Sequence, residues 1–268
     1  MNKNIYLVLH DFTSVGEAAL NYAVNLSSNL INEIKLVHLV SDKKELTNAT
    51  QKLNDIISKT VKTENTEITG IVKVGSIFED IAKIVKEEKV NLIIMGTHGA
   101  KGFQKVFGSH AMKVITSSDV PFFVIQKDTK VKAVRRILVP IDSEKESLQI
   151  VDIAGDLCKI YNAEIFLVAE KREDPYLSQK IKNRILIVRK QYQDRQVKCN
   201  IELLPYEGSY QKKIMNYCAE KEIDLIAIAY HSTSILPQFD TFAQDLITNQ
   251  DLLPCVIINS KANSTFSF

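Results

Sequence analysis

The stretch 92-LIIMGTHGAKGFQKVFGSHAMKV-114 combines a strand-sized apolar run with a glycine-rich loop and a helical pattern. It holds four of the nine glycines in the chain, namely Gly96, Gly99, Gly102 and Gly108. Glycine allows positive φ and close backbone approach, so successive N–H groups can form a concavity that holds an anion. We expect Ser109 to cap a helix from about residue 110 to 116, whose free N–H groups would also face a phosphate. A plain strand-to-helix turn is the alternative.

The strand in this stretch has a second copy later in the chain. Residues 92–98, LIIMGTH, align with residues 225–231, LIAIAYH, at a distance of 133 positions. Asp11 aligns with Asp142 at a distance of 131 positions, in a long register without a gap. Two registers that differ by only two positions indicate a tandem duplication.

Each half follows the same order of predicted elements. Apolar, strand-sized runs alternate with helical patterns, such as those at about residues 43–64 and 175–196. This alternation predicts a parallel sheet that is covered by helices on both faces. The fold class is therefore α/β, with two tandem, doubly wound, Rossmann-like domains of five parallel strands each, at residues 1–128 and 133–262.

Capping boxes are predicted at the start of the first helix of each half. Ser14 is followed three residues later by Glu17, and Ser143 is followed at the same spacing by Glu146. In such a box, the hydroxyl and the carboxylate satisfy backbone N–H groups of the first turn.

Several strand ends should meet at one place in this fold. Ligands of doubly wound sheets bind at the carboxyl ends of the strands, so we expect Asp11, Leu39 and Gly96 to lie near one another. His10 precedes Asp11, and with Ser109 this pair suggests a hydrolase. The sequence has no G-x-S-x-G nucleophile motif, however, which argues against that chemistry.

Composition and charge exclude several classes of protein. The formal net charge of +2, from 34 basic and 32 acidic residues, lacks the basic excess that nucleic-acid binders carry. The longest apolar runs are too short to cross a membrane. All four cysteines lie in the second half without a C-x-x-C pair. This usage predicts buried free thiols in the reducing cytoplasm, at Cys158, Cys199, Cys218 and Cys255.

Taken together, these motifs resemble those of the universal stress protein family, over the whole chain. The ATP-binding branch of that family carries Gly, two residues, Gly, nine residues, and then Gly-Ser or Gly-Thr. Gly96 and Gly99 match the first part of this pattern, and Gly108 with Ser109 matches the last part. Only eight residues separate Gly99 from Gly108. The strand that ends at Asp11 resembles the first strand of the family.

The resemblance implies that the first half binds an adenine nucleotide, ATP or AMP, with Mg²⁺ held through the phosphates. The residues implied to form the site are His10, Asp11, Leu39, Met95, Gly96, Gly99, Gly108, Ser109 and His110. In the family's binding mode, Asp11 and Leu39 would hold the adenine, and Met95 and Gly96 would border the ribose. The remaining glycines, the serine and the N–H of the following histidine would hold the phosphates.

Family members usually pair through their fifth strands. In this chain the corresponding runs, 120–126 and 253–259, are both apolar and would otherwise form exposed sheet edges. We expect these two strands to pair within the chain, so that the halves form a pseudo-dimer. The sequence leaves open whether two whole chains also form a homodimer.

The second half has lost the glycine pattern. The positions aligned with the glycines and the serine of the motif hold Ala229, Ser232, Thr241 and Phe242. A phenylalanine in place of the serine removes a hydrogen-bond donor and fills space. We therefore expect one nucleotide per chain.

Two functions from different classes are consistent with these patterns. The first is a stress-response regulatory protein that binds an adenine nucleotide without efficient catalysis. The second is an interaction or scaffold module of the same fold that needs no nucleotide. The dinucleotide fingerprint G-x-G-x-x-G and the P-loop G-x-x-x-x-G-K-[ST] are both missing, which argues against the other common nucleotide-binding folds.

Overall fold

A computed structural model describes residues 4–29, 32–61, 66–97, 107–143, 145–230 and 241–259. The strands of the described residues are β1 (Asn4–Leu9), β2 (Asn32–Val40), β3 (Thr66–Val74), β4 (Leu92–Thr97), β5 (Phe122–Gln126), β6 (Arg136–Ile141), β7 (Glu164–Glu170), β8 (Cys199–Leu204), β9 (Leu225–Tyr230) and β10 (Cys255–Asn259). The α-helices are α1 (Ser14–Leu26), α2 (Leu46–Lys59), α3 (Ile81–Glu87), α4 (Phe107–Ile115), α5 (Gln149–Tyr161), α6 (Pro175–Asp194), α7 (Tyr210–Glu220) and α8 (Thr241–Ile247).

One sheet of ten strands runs through both halves, in the order β3-β2-β1-β4-β5-β10-β9-β6-β7-β8. The strands are parallel within each half, whereas β5 and β10 pair antiparallel across the joint. Val124 pairs with Cys255 there, and Phe122 pairs with Ile257. The fifth strands therefore join the two halves, as the sequence predicts.

The strand registers repeat between the halves. Tyr6 of β1 pairs with Leu92 of β4, and Ile137 of β6 pairs with Leu225 of β9. These two pairs stand 131 and 133 positions apart, which are the two offsets found in the sequence. The registers thus bear out the duplication at the level of single residues.

The shift from one offset to the other lies between β8 and α7. Ile68 and Cys199 hold the same register position on β3 and β8 and are 131 positions apart. Ser76 and Ser209, by contrast, are 133 positions apart. The second half therefore carries two extra residues between Cys199 and Ser209, ahead of α7.

The helices form one layer on each face of the sheet. Helices α1, α2, α5 and α6 contribute to the core on one face, and α3, α4, α7 and α8 to the core on the other. Tyr6 and Val8 of β1 point into the first core, and Leu7 and Leu9 point into the second. Burial on both faces explains why the strands read as continuous apolar runs.

The predicted capping box at Ser14 is wrong. Thr13 is the N-cap of α1, and its hydroxyl accepts a hydrogen bond of 3.2 Å from the N–H of Val15. The carboxylate of Asp11 accepts from both the N–H and the hydroxyl of Thr13. These bonds fix Thr13 outside the helix, so the helix begins at the next residue.

The predicted box at Ser143 and Glu146 stays a prediction. A 3₁₀ turn over Lys145–Leu148 precedes α5, which begins at Gln149. The α-helix itself therefore starts only after Glu146.

Two other helix ends differ from the predictions. Helix α4 begins at Phe107, so Gly108 and Ser109 lie in its first turn and Ser109 is not the cap. Glycine and serine are tolerated there because first-turn N–H groups need no intrahelical partner. Helix α2 ends at Lys59, before the predicted residue 64, because β3 begins at Thr66.

The described residues contain free thiols, but no membrane-spanning helix and no metal-binding cluster. The four cysteines are free thiols, of which Cys158, Cys218 and Cys255 are buried and Cys199 is half-buried. No helix in the described ranges is long and apolar enough to cross a membrane. Within the same ranges, no group of three or more His, Cys, Asp or Glu side chains could hold a metal ion.

Candidate functional site

A cavity of about 290 Å³ opens at the carboxyl ends of β1, β2 and β4. The strand order reverses between β1 and β4, which is where doubly wound sheets leave a crevice for ligands. Its size is at the lower end of ligand sites, which span roughly 300–1,000 Å³. The lining residues are Leu9, His10, Asp11, Val15, Gly16, Val37, His38, Leu39, Gly75, Ile77, Ile81, Met95 and Gly96.

The structure brings part of the predicted site together. The predicted residues that line the cavity are His10, Asp11, Leu39, Met95 and Gly96. Gly99 lies outside the described residues. Gly108, Ser109 and His110 belong to the first turn of α4, where only the backbone is described. The role of these four residues stays a prediction.

Asp11 forms a turn directly after β1. Its Oδ1 accepts hydrogen bonds from the Thr13 N–H at 3.0 Å and from the Thr13 hydroxyl at 2.6 Å. In such an Asx turn the side chain bonds to the backbone two residues further on. The side chain is exposed at the cavity, and its Oδ2 receives no hydrogen bond from the described residues. One carboxylate oxygen is therefore available to a ligand.

His10 is buried at the floor of the site, with 4% of its surface exposed. Its Nδ1 accepts a hydrogen bond of 3.0 Å from the Phe12 N–H, so the proton of the neutral ring is on Nε2. Nε2 has no hydrogen-bond partner among the described residues. Burial lowers the pKa of His10, and the nearby Asp11 and Glu17 only partly oppose this effect. The imidazole is therefore neutral near pH 7.

Phe12 and His38 form an aromatic contact beside the site. Their ring centroids are 3.9 Å apart, and the planes are tilted by 33°. The Nδ1–H of His38 donates to the carbonyl oxygen of His10 at 2.7 Å. These contacts tie the turn after β1 to the end of β2.

Gly96 allows α1 to approach β4 closely, and Gly16 allows α1 to approach the turn after β1. A Cβ at Gly96 would lie 2.4 Å from Cγ1 and 2.6 Å from the carbonyl oxygen of Val15. A Cβ at Gly16 would lie 3.0 Å from Oδ1 of Asp11 and 3.1 Å from Cδ2 of His10. Helix packing thus requires glycine at position 96, independently of any ligand.

Charged side chains occupy the counterpart of Leu39 in the second half. Glu170, at the end of β7, aligns with Leu39 at the offset of 131 and is only 6% exposed. Lys213 donates to its Oε1, and Arg172 lies 3.0 Å from its Oε2. Lys213 also donates to the carbonyl oxygen of Tyr206 at 3.2 Å. The second half therefore fills this position with its own ion pairs.

An aromatic pair lies next to these charges. Tyr210 aligns with Ile77, and Phe242 aligns with Ser109. The two rings stack with centroids 5.4 Å apart and planes within 10°. Burial raises the pKa of Tyr210, and its hydroxyl has no partner among the described residues. The second half thus presents packed rings where the first half has an aliphatic side chain and a serine.

Larger residues replace the two close-approach glycines in the second half. Ser147 aligns with Gly16, and Ala229 aligns with Gly96. The hydroxyl of Ser147 accepts from the N–H of Asp142 at 3.4 Å. The residues aligned with the start of α1 form a 3₁₀ turn in the second half, so the backbone at Ser147 differs from the α-helical backbone at Gly16.

Sequence reasoning missed Glu170, Lys213 and Tyr210. The repeat alignment contains a signal for the first two, because an acidic residue replaces Leu39 and a basic residue replaces Asp80. The alignment does not show that the two replacements contact each other. That contact depends on how α7 packs against the end of β7.

Comparisons with known proteins agree on one family. The model of the universal stress protein family matches residues 1–126 and 133–247. Universal stress protein MJ0577 of Methanocaldococcus jannaschii is 31% identical over 114 residues, which are 42% of this chain and 64% of that protein. The chain thus spans less than two thirds of the length of this curated relative.

Solved structures extend the likeness to the whole chain. A universal stress protein from Archaeoglobus fulgidus superposes with a TM-score of 0.71 at 16% identity, covering 97% of this chain and 100% of that one. A universal stress protein solved in complex with cAMP covers 48% of this chain and 99% of its own, with a TM-score of 0.39 and 17% identity. The first of these likenesses shows that the two-half fold is shared.

Proposed function

Because the chain belongs to the universal stress protein family, we propose that its first half binds an adenine nucleotide, ATP or AMP, as a regulatory ligand in a stress response. The ligand lies in the cavity at the carboxyl ends of β1, β2 and β4. One contrast carries the proposal. The first half leaves this cavity open, whereas the second half holds ion pairs and stacked rings at the aligned positions. One nucleotide per chain follows.

The cavity offers what a purine nucleoside needs. Leu39 provides apolar surface for a face of the base, Met95 borders the ribose, and Oδ2 of Asp11 can accept from an amine or a hydroxyl of the nucleoside. The phosphates lie towards the first turn of α4, where backbone N–H groups such as those of Gly108 and Ser109 need no intrahelical partner and can bind an anion. Mg²⁺ is held through those phosphates.

The proposed activity is binding without efficient catalysis. Nδ1 of His10 is engaged with Phe12 and its Nε2 carries the proton, so this ring is not available as a general base. Oδ1 of Asp11 is engaged with Thr13. A signal can instead pass through shape, because α4 contacts both α8 and β10 of the other half.

Three measurements on the purified chain test the proposal. The protein is denatured, and the released nucleotides are separated by chromatography. The protein freed of nucleotide is then titrated with ATP, AMP and cAMP in a calorimeter and heated in their presence. A ligand that binds only the native state must raise the melting temperature. The proposal fails if no nucleotide is released and millimolar ATP neither binds nor shifts the melting temperature.

A charge introduced at Leu39 tests the location of the site. Leu39→Glu places in the first half the residue type that Glu170 provides in the second, and we expect it to abolish binding. Ile201→Glu is the control, because it adds the same charge at an exposed position of the edge strand β8. Equal binding by the two variants would place the ligand elsewhere.

The second candidate is a scaffold module that needs no nucleotide. The closed second half favours it, because that half folds with its counterpart of the site occupied by Glu170, Lys213 and the Tyr210–Phe242 stack. Under this reading the whole chain acts through its surface, as a monomer or a homodimer. Failure of the nucleotide experiments, together with a defined oligomer in light scattering, would favour this candidate.

We also propose a cytoplasmic location. Burial raises the pKa of Cys158 and Cys199 to about 11 and that of Cys218 to about 12, and it also raises the pKa of Cys255. The thiolate is the reactive form, so these cysteines resist oxidation and suit a role as packed thiols. Cell fractionation tests the location directly.

A further inference from the structure

Phe12 adopts a backbone conformation that aromatic residues rarely take. Its φ is +62°, in the left-handed region, and it directly follows Asp11 of the candidate site. Bulky residues are strained in this region and stay there only where the surroundings hold them. The contacts that hold Phe12 therefore also decide where Asp11 is presented.

Two of the contacts that hold Phe12 lead to histidines. Its N–H donates to Nδ1 of His10 at 3.0 Å, and its ring stacks on His38 at 3.9 Å. His38 donates to the carbonyl oxygen of His10 at 2.7 Å, and the N–H of His10 donates to the carbonyl oxygen of Val37 at 2.9 Å. His10 is thus the centre of a network that joins the ends of β1 and β2.

We propose that His10 is a positioning residue for the candidate site. Its neutral imidazole accepts the N–H of Phe12, holds the turn from Asp11 to Thr13, and so presents Asp11 to the nucleotide. Protonation of Nδ1 removes the acceptor, releases the turn and weakens binding. The inference deepens the proposed function and rests on it.

The surroundings of His10 set the direction of the pH dependence. Burial has the largest effect and lowers the pKa below its ordinary value of 6.5, the carboxylates of Asp11 and Glu17 raise it, and His38 lowers it. The ring packs against α1 at Gly16, which carries no charge. Because the unfolded chain then binds the proton more readily, this contribution to stability is complete above pH 6.5 and is lost as the pH falls through the folded-state pKa.

Two variants of His10 separate the acceptor from the rest of the ring. In His10→Asn the amide oxygen can take the place of Nδ1 and accept from the N–H of Phe12, but it does not titrate. His10→Leu has no acceptor. In calorimetric titrations with ATP at pH 7.5, we expect His10→Leu to weaken binding about tenfold, because it leaves a polar backbone group unpaired. We expect His10→Asn to recover most of that loss.

The pH profile is the sharper readout. The ratio of the ATP affinities of the wild type and His10→Asn is measured at pH 7.5 and pH 5.0, so that the titration of the ATP phosphates cancels. We expect the ATP affinity of the wild type to fall at least about threefold more than that of the variant between pH 7.5 and pH 5.0. His231→Asn, a histidine substitution in the second half, is the control and should follow the wild type. A ratio that does not change with pH overturns the proposal.

The outcomes distinguish failure of the positioning role of His10 from failure of the proposed nucleotide binding. If the wild type binds neither ATP nor AMP, the proposed function fails and the positioning role falls with it. If the wild type binds ATP and His10→Leu binds it equally well, only the positioning role is overturned. If His10→Leu does not fold, the pH profile of His10→Asn decides. In the absence of ligand, the melting temperature of the wild type should fall more between pH 7.5 and 5.0 than that of His10→Asn, and equal falls would contradict the role.

Discussion

The side-chain amide of Gln126, at the end of β5, donates a hydrogen bond of 2.7 Å to the carbonyl oxygen of Asn249 in the other half. Asn259, at the end of β10, donates in the same way to the carbonyl oxygen of Thr116 at 3.3 Å. Both the donors and the acceptors are related by the offset of 133 positions. Because β5 and β10 are antiparallel, the joint between the halves is hydrogen-bonded at both of its ends.

Gln126→Leu should destabilise the joint. Gln126 is 3% exposed, and its removal leaves the carbonyl oxygen of Asn249 with only a long hydrogen bond of 3.4 Å from the Leu252 N–H. We expect the free energy of unfolding to fall by about 1–3 kcal/mol, measured by urea denaturation. Asn259→Leu is the matched variant. It should reduce the free energy of unfolding by less, because the hydrogen bond from Asn259 is longer than that from Gln126. A smaller loss for Gln126→Leu than for Asn259→Leu would contradict this account of the joint.

Glu170→Leu should destabilise the second half. It leaves the largely buried ammonium of Lys213 without its carboxylate, and we expect a loss of about 3 kcal/mol in the free energy of unfolding. The double variant Glu170→Leu/Lys213→Leu removes both charges and should recover part of the loss. Denaturation of the three proteins gives the coupling energy. Strictly additive losses would show that the two side chains do not stabilise each other.

Much of the fold could be predicted because the sequence contains the same pattern of apolar runs twice. The offsets of 131 and 133 positions, read from aligned apolar runs, reappear in the pairs Tyr6–Leu92 and Ile137–Leu225. The pairing of the fifth strands is implied by the resemblance to universal stress proteins, and their apolar character supports it, since an exposed apolar edge would aggregate. These predictions succeed because burial on both faces leaves a clear apolar pattern.

The helix starts and the closed second site could not be predicted in the same way. Thr13 and Ser14 are both good caps, and only the contact of Thr13 with Asp11 selects between them. Likewise, Glu170 and Lys213 are 43 positions apart in the sequence, and their contact depends on the packing of α7. Tertiary contacts of this kind leave no local pattern in the sequence.

Gln196→Gly should stabilise the protein. Gln196 follows the end of α6 with a φ of +57°, where a side chain is strained and glycine is not. The exposed side chain has little packing to lose, so we expect a gain of about 0.5–1 kcal/mol in the free energy of unfolding. Asn162→Gly, at a φ of +50°, should gain less, because asparagine tolerates this region. Loss of stability in Gln196→Gly would show that its side chain makes a compensating contact.

Gly96→Ala should lower the free energy of unfolding, whether or not a ligand binds at the site. Its Cβ would meet Cγ1 of Val15 at 2.4 Å and the carbonyl oxygen of Val15 at 2.6 Å, so α1 must shift away from β4. We expect a loss of about 2–3 kcal/mol in the free energy of unfolding. Ala229→Gly, the reverse change at the aligned position, should cost only about 1 kcal/mol.

A second substitution separates the two contacts of that new Cβ. Val15→Ala removes the Cγ1 atom but not the carbonyl oxygen, so it should restore only part of the stability of Gly96→Ala. Nucleotide binding by Gly96→Ala should then follow its melting temperature as conditions are varied. If Gly96→Ala keeps the wild-type stability and loses only nucleotide binding, the glycine serves the ligand and not the packing of α1 on β4.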